Sequence, residues 1–452
     1  MTISRIRVVA GLLVLLFVAS GGWVLGGILG LFWSPELYRR DFTQDYLWVR
    51  AAADGINPYQ PVATLAARYL GDIPIAVFPH PTPHPPTMGL LLLPLAAFDL
   101  RTASVIWLAV ELVSLAGFIA VLAARWQLPR PWLLVPAGTL ALVSWAPVTQ
   151  ELVNGQVMVT MLLLVGLSWS SLIAGRSFLS GVFLGLSLCL KPVTLPIVLV
   201  YVFRRDARAL AGGVVPPLLG LALAGLLIGW PVLGSYPSVV SDVNADYRTA
   251  VNNISGWTLG PRLFEGTGSP VVIGITAPPL VPFGPAAAAV TGLVLAAIVG
   301  FAIRTLRRVP RPEDAFGTLC CVSILLSPLA WGHYLVLALL PLAEVVRALL
   351  RRAFPRREML LAGVVVAVVL VPGMLWITLA QLLAGQHVPP GQEAFLPFLP
   401  TAVTLAPMIA VAMLTVLAAR AEIFLASESS APNVAAANSG DERAAAPTRR
   451  EP

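Results

Sequence analysis

Residues 177–205 read SFLSGVFLGLSLCLKPVTLPIVLVYVFRR. No charge interrupts Ser177 to Leu190; then come Lys191 and Pro192, and a second apolar run continues to Phe203 before Arg204 and Arg205. So little charge suits hydrocarbon, yet each half is shorter than the roughly 20 residues needed to cross a bilayer. An out-and-back pair of short helices, broken at Lys191-Pro192 and lining a protein cavity, satisfies both facts. Lys191 is also the single lysine in a chain with 28 arginines. An intramembrane cation beside a helix-breaking proline points to a functional site, the alternative being a lysine that snorkels to the outer interface.

The rest of the chain repeats this pattern. It is 58% hydrophobic and 11% charged, where a soluble domain carries roughly 25% charged residues, so a soluble fold is excluded. Apolar runs at approximately 8–33, 102–124, 133–149, 157–174, 178–190, 193–203, 209–233, 285–303, 315–331, 334–349, 359–383 and 401–419 predict an all-α polytopic membrane protein with about 12 crossings. The pair 315–349 folds back around Trp331-Gly332-His333 as 178–203 does around Lys191-Pro192. Every second boundary is arginine-rich, which places 21 arginines inside and seven outside by the positive-inside rule, with both termini in the cytoplasm of a bacterial inner membrane. The net charge of +7 therefore reports topology and not nucleic-acid binding. A membrane domain over 1–425 and a disordered cytoplasmic tail over 426–452 follow, the tail having no apolar face. Cys189, Cys320 and Cys321 lie inside apolar runs and read as packing residues.

The outer face on this topology carries two long polar loops, about 34–101 and 234–284, with short helices in them. Met88 to Phe98 is apolar but too short to cross, and reads as a re-entrant or interfacial helix. Asp41 and Asp45 are four residues apart at the start of a helix closed by Gly55 and Pro58, so both carboxylates share one face just outside the first crossing. Two like charges so placed push one pKa upward, which suits a general base accepting a hydroxyl proton, with the second carboxylate orienting substrate. Tyr46, Trp48 and Tyr59 suit sugar stacking or a membrane belt. Asn57, Asn154-Gly155-Gln156 and Asn253 offer amides to hydroxyls, while Lys191, His333 and Arg262 offer positive charge or donors to a phosphate. His80 and His84 lie in an extended proline-rich stretch with no metal-ligand spacing, Glu111 lies mid-crossing without an assignable partner, and no motif calls for a nucleotide, a metal or a cofactor.

These pieces occur in an order that resembles glycosyltransferase family 87. The resemblance rests on Asp41-Phe42 through Asp45-Tyr46, Gly55-x-Asn57-Pro58-Tyr59, Pro85-Pro86 before Leu90 to Pro94, Asn154-Gly155-Gln156, Leu190-Lys191-Pro192, Asn253-x-Ser255, and Ser327-Pro328-x-x-Trp331-x-His333. It implies a GT-C fold and transfer of mannose, as in mycobacterial phosphatidylinositol mannoside enzymes, from a polyprenyl-phosphate donor to a lipid-anchored glycan on the extracytoplasmic face. It also implies inversion at the sugar carbon with an acidic residue after the first crossing as base. Some members of the family transfer arabinofuranose. The family often shows two adjacent histidines after the tryptophan, where this chain has His333-Tyr334. Broken helices and a buried cation suit a transporter or flippase too, but large outer loops and the lack of visible inverted repeats favour an enzyme.

Overall fold

The structure, a computed structural model of the chain, describes residues 3–271, 274–351, 354–386, 388–389 and 392–430. It is predominantly helical. Helix α1 (Ile3–Leu31) leads through a 3-10 turn into α2 (Asp41–Ala53), followed by α3 (Val62–Tyr69) and α4 (Pro86–Leu92). The long α5 (Leu100–Arg125) begins where the Asp99 side chain accepts hydrogen bonds from the Arg101 and Thr102 amides, which would otherwise be unpaired at the helix start. Next come α6 (Pro131–Val143), α7 (Ala146–Asn154), α8 (Met158–Ile173), α9 (Ser177–Leu190), α10 (Leu199–Arg204), α11 (Ala207–Ile228), α12 (Trp230–Tyr247) and α13 (Leu259–Phe264). The chain finishes with α14 (Gly284–Arg308), α15 (Phe316–Leu326), α16 (Leu339–Leu350), α17 (Arg356–Leu370), α18 (Gly373–Leu383), α19 (Phe398–Ala402) and α20 (Ala406–Ser430).

Among the described residues, five helical segments can cross a bilayer by length and composition, and up to seven if two bent pairs each count as one crossing. This makes the chain a helical membrane protein without establishing twelve crossings. Two expected crossings are bent: α6 turns into α7 through 81° and α17 into α18 through 92°. Pro147 sits in the first turn of α7, and Val371 is extended ahead of Pro372, the conformation a following proline imposes. The same cause breaks the chain at Lys191 before Pro192 (φ −153, ψ 139) and at Ser327 before Pro328 (φ −64, ψ 131). After each of these two breaks the chain resumes in a 3-10 turn, Pro192–Val198 and Gly332–Ala338.

The expected crossing at 209–233 ends earlier. Gly229 adopts φ +94, a conformation that interrupts a helix, and α12 restarts with Pro231 in its first turn, so it fills what was read as loop up to Tyr247. The segment Met88 to Phe98 forms α4 and a 3-10 turn, and packs rather than floats: Thr87 donates to the Cys189 carbonyl at 2.7 Å, and Met88, Gly89 and Leu92 are buried.

Helices α9 and α11 meet backbone to backbone. A Cβ at Gly181 would lie 2.0 Å from the Ala209 carbonyl oxygen, and one at Gly212 would lie 2.2 Å from that of Phe178. Small residues permit this approach, on which helix pairing in lipid depends. On the other side of α9 the hydroxyls of Ser168, Ser180 and Tyr201 bond one another within 3.2 Å. Helices α15 and α20 close the bundle, where Glu422 accepts from the Thr318 amide at 2.7 Å and hydroxyl at 2.5 Å. The three cysteines are buried and form no disulfide. A two-residue parallel ladder, β1 (Ile275–Thr276) with β2 (Ala394–Phe395), ties the segment after α13 to the one before α19. Helix α20 extends past residue 426; residues 431–452, most of the expected tail, and Arg352 lie outside the described residues.

Candidate functional site

The helix breaks open onto one cavity of about 750 Å³. Its floor is apolar, from the α6/α7 bend (Ala146, Pro147) and the α17/α18 bend (Val368, Pro372, Met374, Ile377). Its polar side is built from Asp41 at the start of α2, Asn154 at the end of α7 and Gln156 just after it, Lys191 after α9, and His333 and Tyr334 after α15. Residues far apart in sequence meet here because each stands at the end of a helix, where backbone geometry forces the chain to turn.

The centre is a three-residue line. Lys191 Nζ donates to Gln156 Oε1 at 2.5 Å, and Gln156 Nε2 donates to Asp41 Oδ2 at 2.8 Å. The ammonium also stands 5.5 Å from the centre of the Tyr334 ring, a favourable cation–π placement. One amide thus separates cation and carboxylate. A direct ion pair would occupy the base, whereas here Asp41 commits one oxygen to Gln156. Burial pushes the Asp41 carboxyl above the ordinary carboxylate range, opposed by Lys191, by the Gln156 hydrogen bond and by His84; Asp45 raises it least of the named influences. The upward shift expected from sequence is present, but its main cause is desolvation and not the neighbouring carboxylate.

The turn holding Gln156 is pinned from behind. Gly155 has φ +67, and a Cβ there would lie 2.8 Å from Phe42 Cβ and 2.9 Å from Arg40 Nη2. Buried Arg40, immediately before Asp41, donates to the carbonyls of Val153 at 2.6 Å and Leu152 at 2.9 Å, the otherwise unpaired carbonyls at the end of α7. Burial lowers the Arg40 pKa to about 10. Glu151 accepts from the Met158 and Val159 amides at the start of α8. Glu111 is buried with neither oxygen hydrogen-bonded among the described residues, under the electrostatic influence of Glu151 and Arg40.

Asp45 departs from expectation. It does not line the cavity; its Oδ1 lies 2.5 Å from His84 Nδ1, and His84 lines the cavity in its place. By sequence His84 reads as an extended proline-flanked residue, and a separation of 39 residues from Asp45 gives no local signal. His80 reads the same way. Its Nε2 bonds the Tyr247 hydroxyl at 2.9 Å, and Tyr247 meets Trp331 edge to face at 5.5 Å, forming an aromatic corner of the cavity flanked by Asn244 and Asn252. Burial pushes the Tyr247 hydroxyl up to about 12.

Several expected contacts are structural instead. Arg262 is buried behind the cavity wall without lining it, donating to Thr267 at 3.2 Å and to the cavity residue Thr404 at 2.5 Å, and burial lowers its pKa to about 10. Asn253 Oδ1 accepts from the Ser255 and Ala330 amides, each at 3.1 Å. Tyr46 donates to the Phe98 carbonyl at 2.9 Å and Tyr59 to that of His84 at 3.1 Å. Asn57 accepts from the Tyr59 amide at 2.9 Å. His333 does line the cavity, buried, with Nε2 unbonded.

Residues 83–328, more than half of the chain, match glycosyltransferase family 87. The chain belongs to this family. No curated protein and no solved structure matches it. The family match holds His84, Asn154, Gln156 and Lys191, while Asp41, Asp45 and His333 lie outside it; the cavity joins Asp41 and His333 to the matched part. As a family 87 member the protein is a membrane glycosyltransferase, acting between a sugar donor and an acceptor.

Proposed function

We propose that the protein transfers mannose from a polyprenyl-phosphate donor to a lipid-anchored glycan on the extracytoplasmic face, with inversion at the sugar carbon. The observation that carries this reading is the Asp41–Gln156–Lys191 line in a cavity with an apolar floor. Asp41 accepts the proton of the acceptor hydroxyl as that oxygen attacks the anomeric carbon. The bond from that carbon to the phosphate oxygen breaks, and its electron pair leaves with the polyprenyl phosphate. Lys191, with His333 at the other helix break, offsets the negative charge gained by the departing phosphate. The apolar bends receive the first isoprene units. The aromatic corner of Tyr247 and Trp331, with Asn154, Asn244 and Asn252, offers ring faces and amides to sugar. Asp45 contributes one step removed, through His84. The membrane domain comprises residues 1–425 with about twelve crossings, and the cavity opens on the side of the segments 34–101 and 234–284.

A donor panel tests this directly. Purified protein given polyprenyl-phosphate mannose, arabinofuranose and glucose should release lipid phosphate fastest from the mannosyl donor, and Asp41→Asn should slow that release by roughly 100-fold or more. Fastest transfer from the arabinofuranosyl donor would change the sugar assignment; no transfer from any of the three would sink the donor class.

A further inference from the structure

The donor in this reading is a phosphodiester with one negative charge, and it leaves as a phosphomonoester carrying between one and two. The reaction therefore delivers extra negative charge into the cavity. Among the described residues only Lys191 and Asp41, of the Lys, Arg, Asp and Glu side chains, line it, and Lys191 already faces Asp41 through Gln156. A second donor of positive character would match the charge that develops.

His84 has the geometry for it. Its Nδ1 is taken by Asp45 at 2.5 Å, which leaves Nε2 as the ring nitrogen available to the cavity that His84 lines. Asp45 is 3% exposed, and its second oxygen has no hydrogen-bond partner. The only side-chain partner that Asp45 has among the described residues is therefore His84. With Nδ1 held by the carboxylate, Nε2 is the nitrogen that can give an N–H to an anion entering the cavity, and a negatively charged phosphate there favours a donor over a second lone pair.

We propose that His84, oriented by Asp45 as a positioning residue, donates its Nε2–H to the phosphate of the lipid donor and shares with Lys191 the charge that develops there. This rests on the polyprenyl-phosphate reading above. When the bond between sugar and phosphate breaks, the electron pair stays on the phosphate oxygen, the acceptor proton goes to Asp41, and the His84 proton remains on the ring as a strengthened hydrogen bond.

The test measures binding, without turnover, of polyprenyl phosphate and of the uncharged polyprenol of equal chain length to purified full-length protein. Wild type should prefer the phosphate. His84→Ala and the space-filling His84→Phe should weaken phosphate binding roughly 10- to 100-fold, the range for a hydrogen bond to a charged group, with polyprenol binding unchanged. His84→Gln, which keeps an N–H, should recover most of the loss, and Asp45→Asn should fall between. Unchanged phosphate binding in both His84→Ala and His84→Phe overturns the proposal, and so does an equal loss for His84→Gln. If wild type itself does not distinguish phosphate from alcohol, the donor reading fails first and this inference with it.

Discussion

At the residue scale, a carboxylate becomes a useful base when its environment raises its pKa without consuming its lone pairs. Asp41 meets that condition by burial, moderated by Lys191 and by a hydrogen bond to only one of its oxygens. Asp41→Asn keeps the size and the contact to Gln156 but cannot take a proton, so turnover should fall by roughly 100- to 10,000-fold while binding of polyprenyl phosphate persists. Turnover needs the deprotonated form and should therefore decline as pH falls through a pKa above the usual carboxylate range. Lys191→Met removes an influence that lowers this pKa, so the acid limb of its rate profile should move to higher pH. A limb that stays in place would disconnect Lys191 from Asp41, and an active Asp41→Asn enzyme would move the base elsewhere.

At the element scale, the site depends on where helices end. Prolines at Pro147, Pro192, Pro328 and Pro372 each turn a helix aside at the cavity wall, and Gly155 lets the end of α7 lie against Arg40 and Phe42. Alanine at position 155 would hold a strained φ and press on Phe42 Cβ, a side-chain root that cannot swing away. Gly155→Ala should destabilise the protein by about 1–3 kcal/mol, read as a lower midpoint of thermal unfolding in detergent, and should displace Gln156 enough to reduce turnover beyond any loss of folded protein. Arg40→Met removes donors to the Leu152 and Val153 carbonyls, and each left unpartnered costs about 1–3 kcal/mol. A variant as stable as wild type would show that this pinning of α7 is dispensable.

At the scale of the whole molecule, the helix dimensions make a membrane protein, and the topology we propose for it rests on arginine placement. Reporter fusions after Gly71 or Ser255 should signal from outside, and fusions after Arg205 or Arg308 from inside. An inside signal from either of the first two would invert or shift the proposed topology and move the cavity to the wrong membrane face for a glycan acceptor.

Much of this was legible in the chain itself, because lipid imposes coarse rules: long apolar runs, helices broken at prolines, arginine at alternate boundaries, and a lone lysine at one of the breaks. Gln156 and Lys191 could be marked from sequence because their residue types are conspicuous beside turns. Their connection to Asp41 could not, since it spans separate helices and is set by how α2, α7 and α9 pack. The same holds for Asp45 and His84. A carboxylate four residues from Asp41 reads as its twin until packing turns it toward a histidine in a proline-rich segment. Arg262 and Asn253 show the converse, polar residues whose donors and acceptors are used up in holding loops together. Local chemistry determined which residues could act; only tertiary packing decided which of them face the cavity, because burial and hydrogen-bond partners are properties of neighbours distant in sequence.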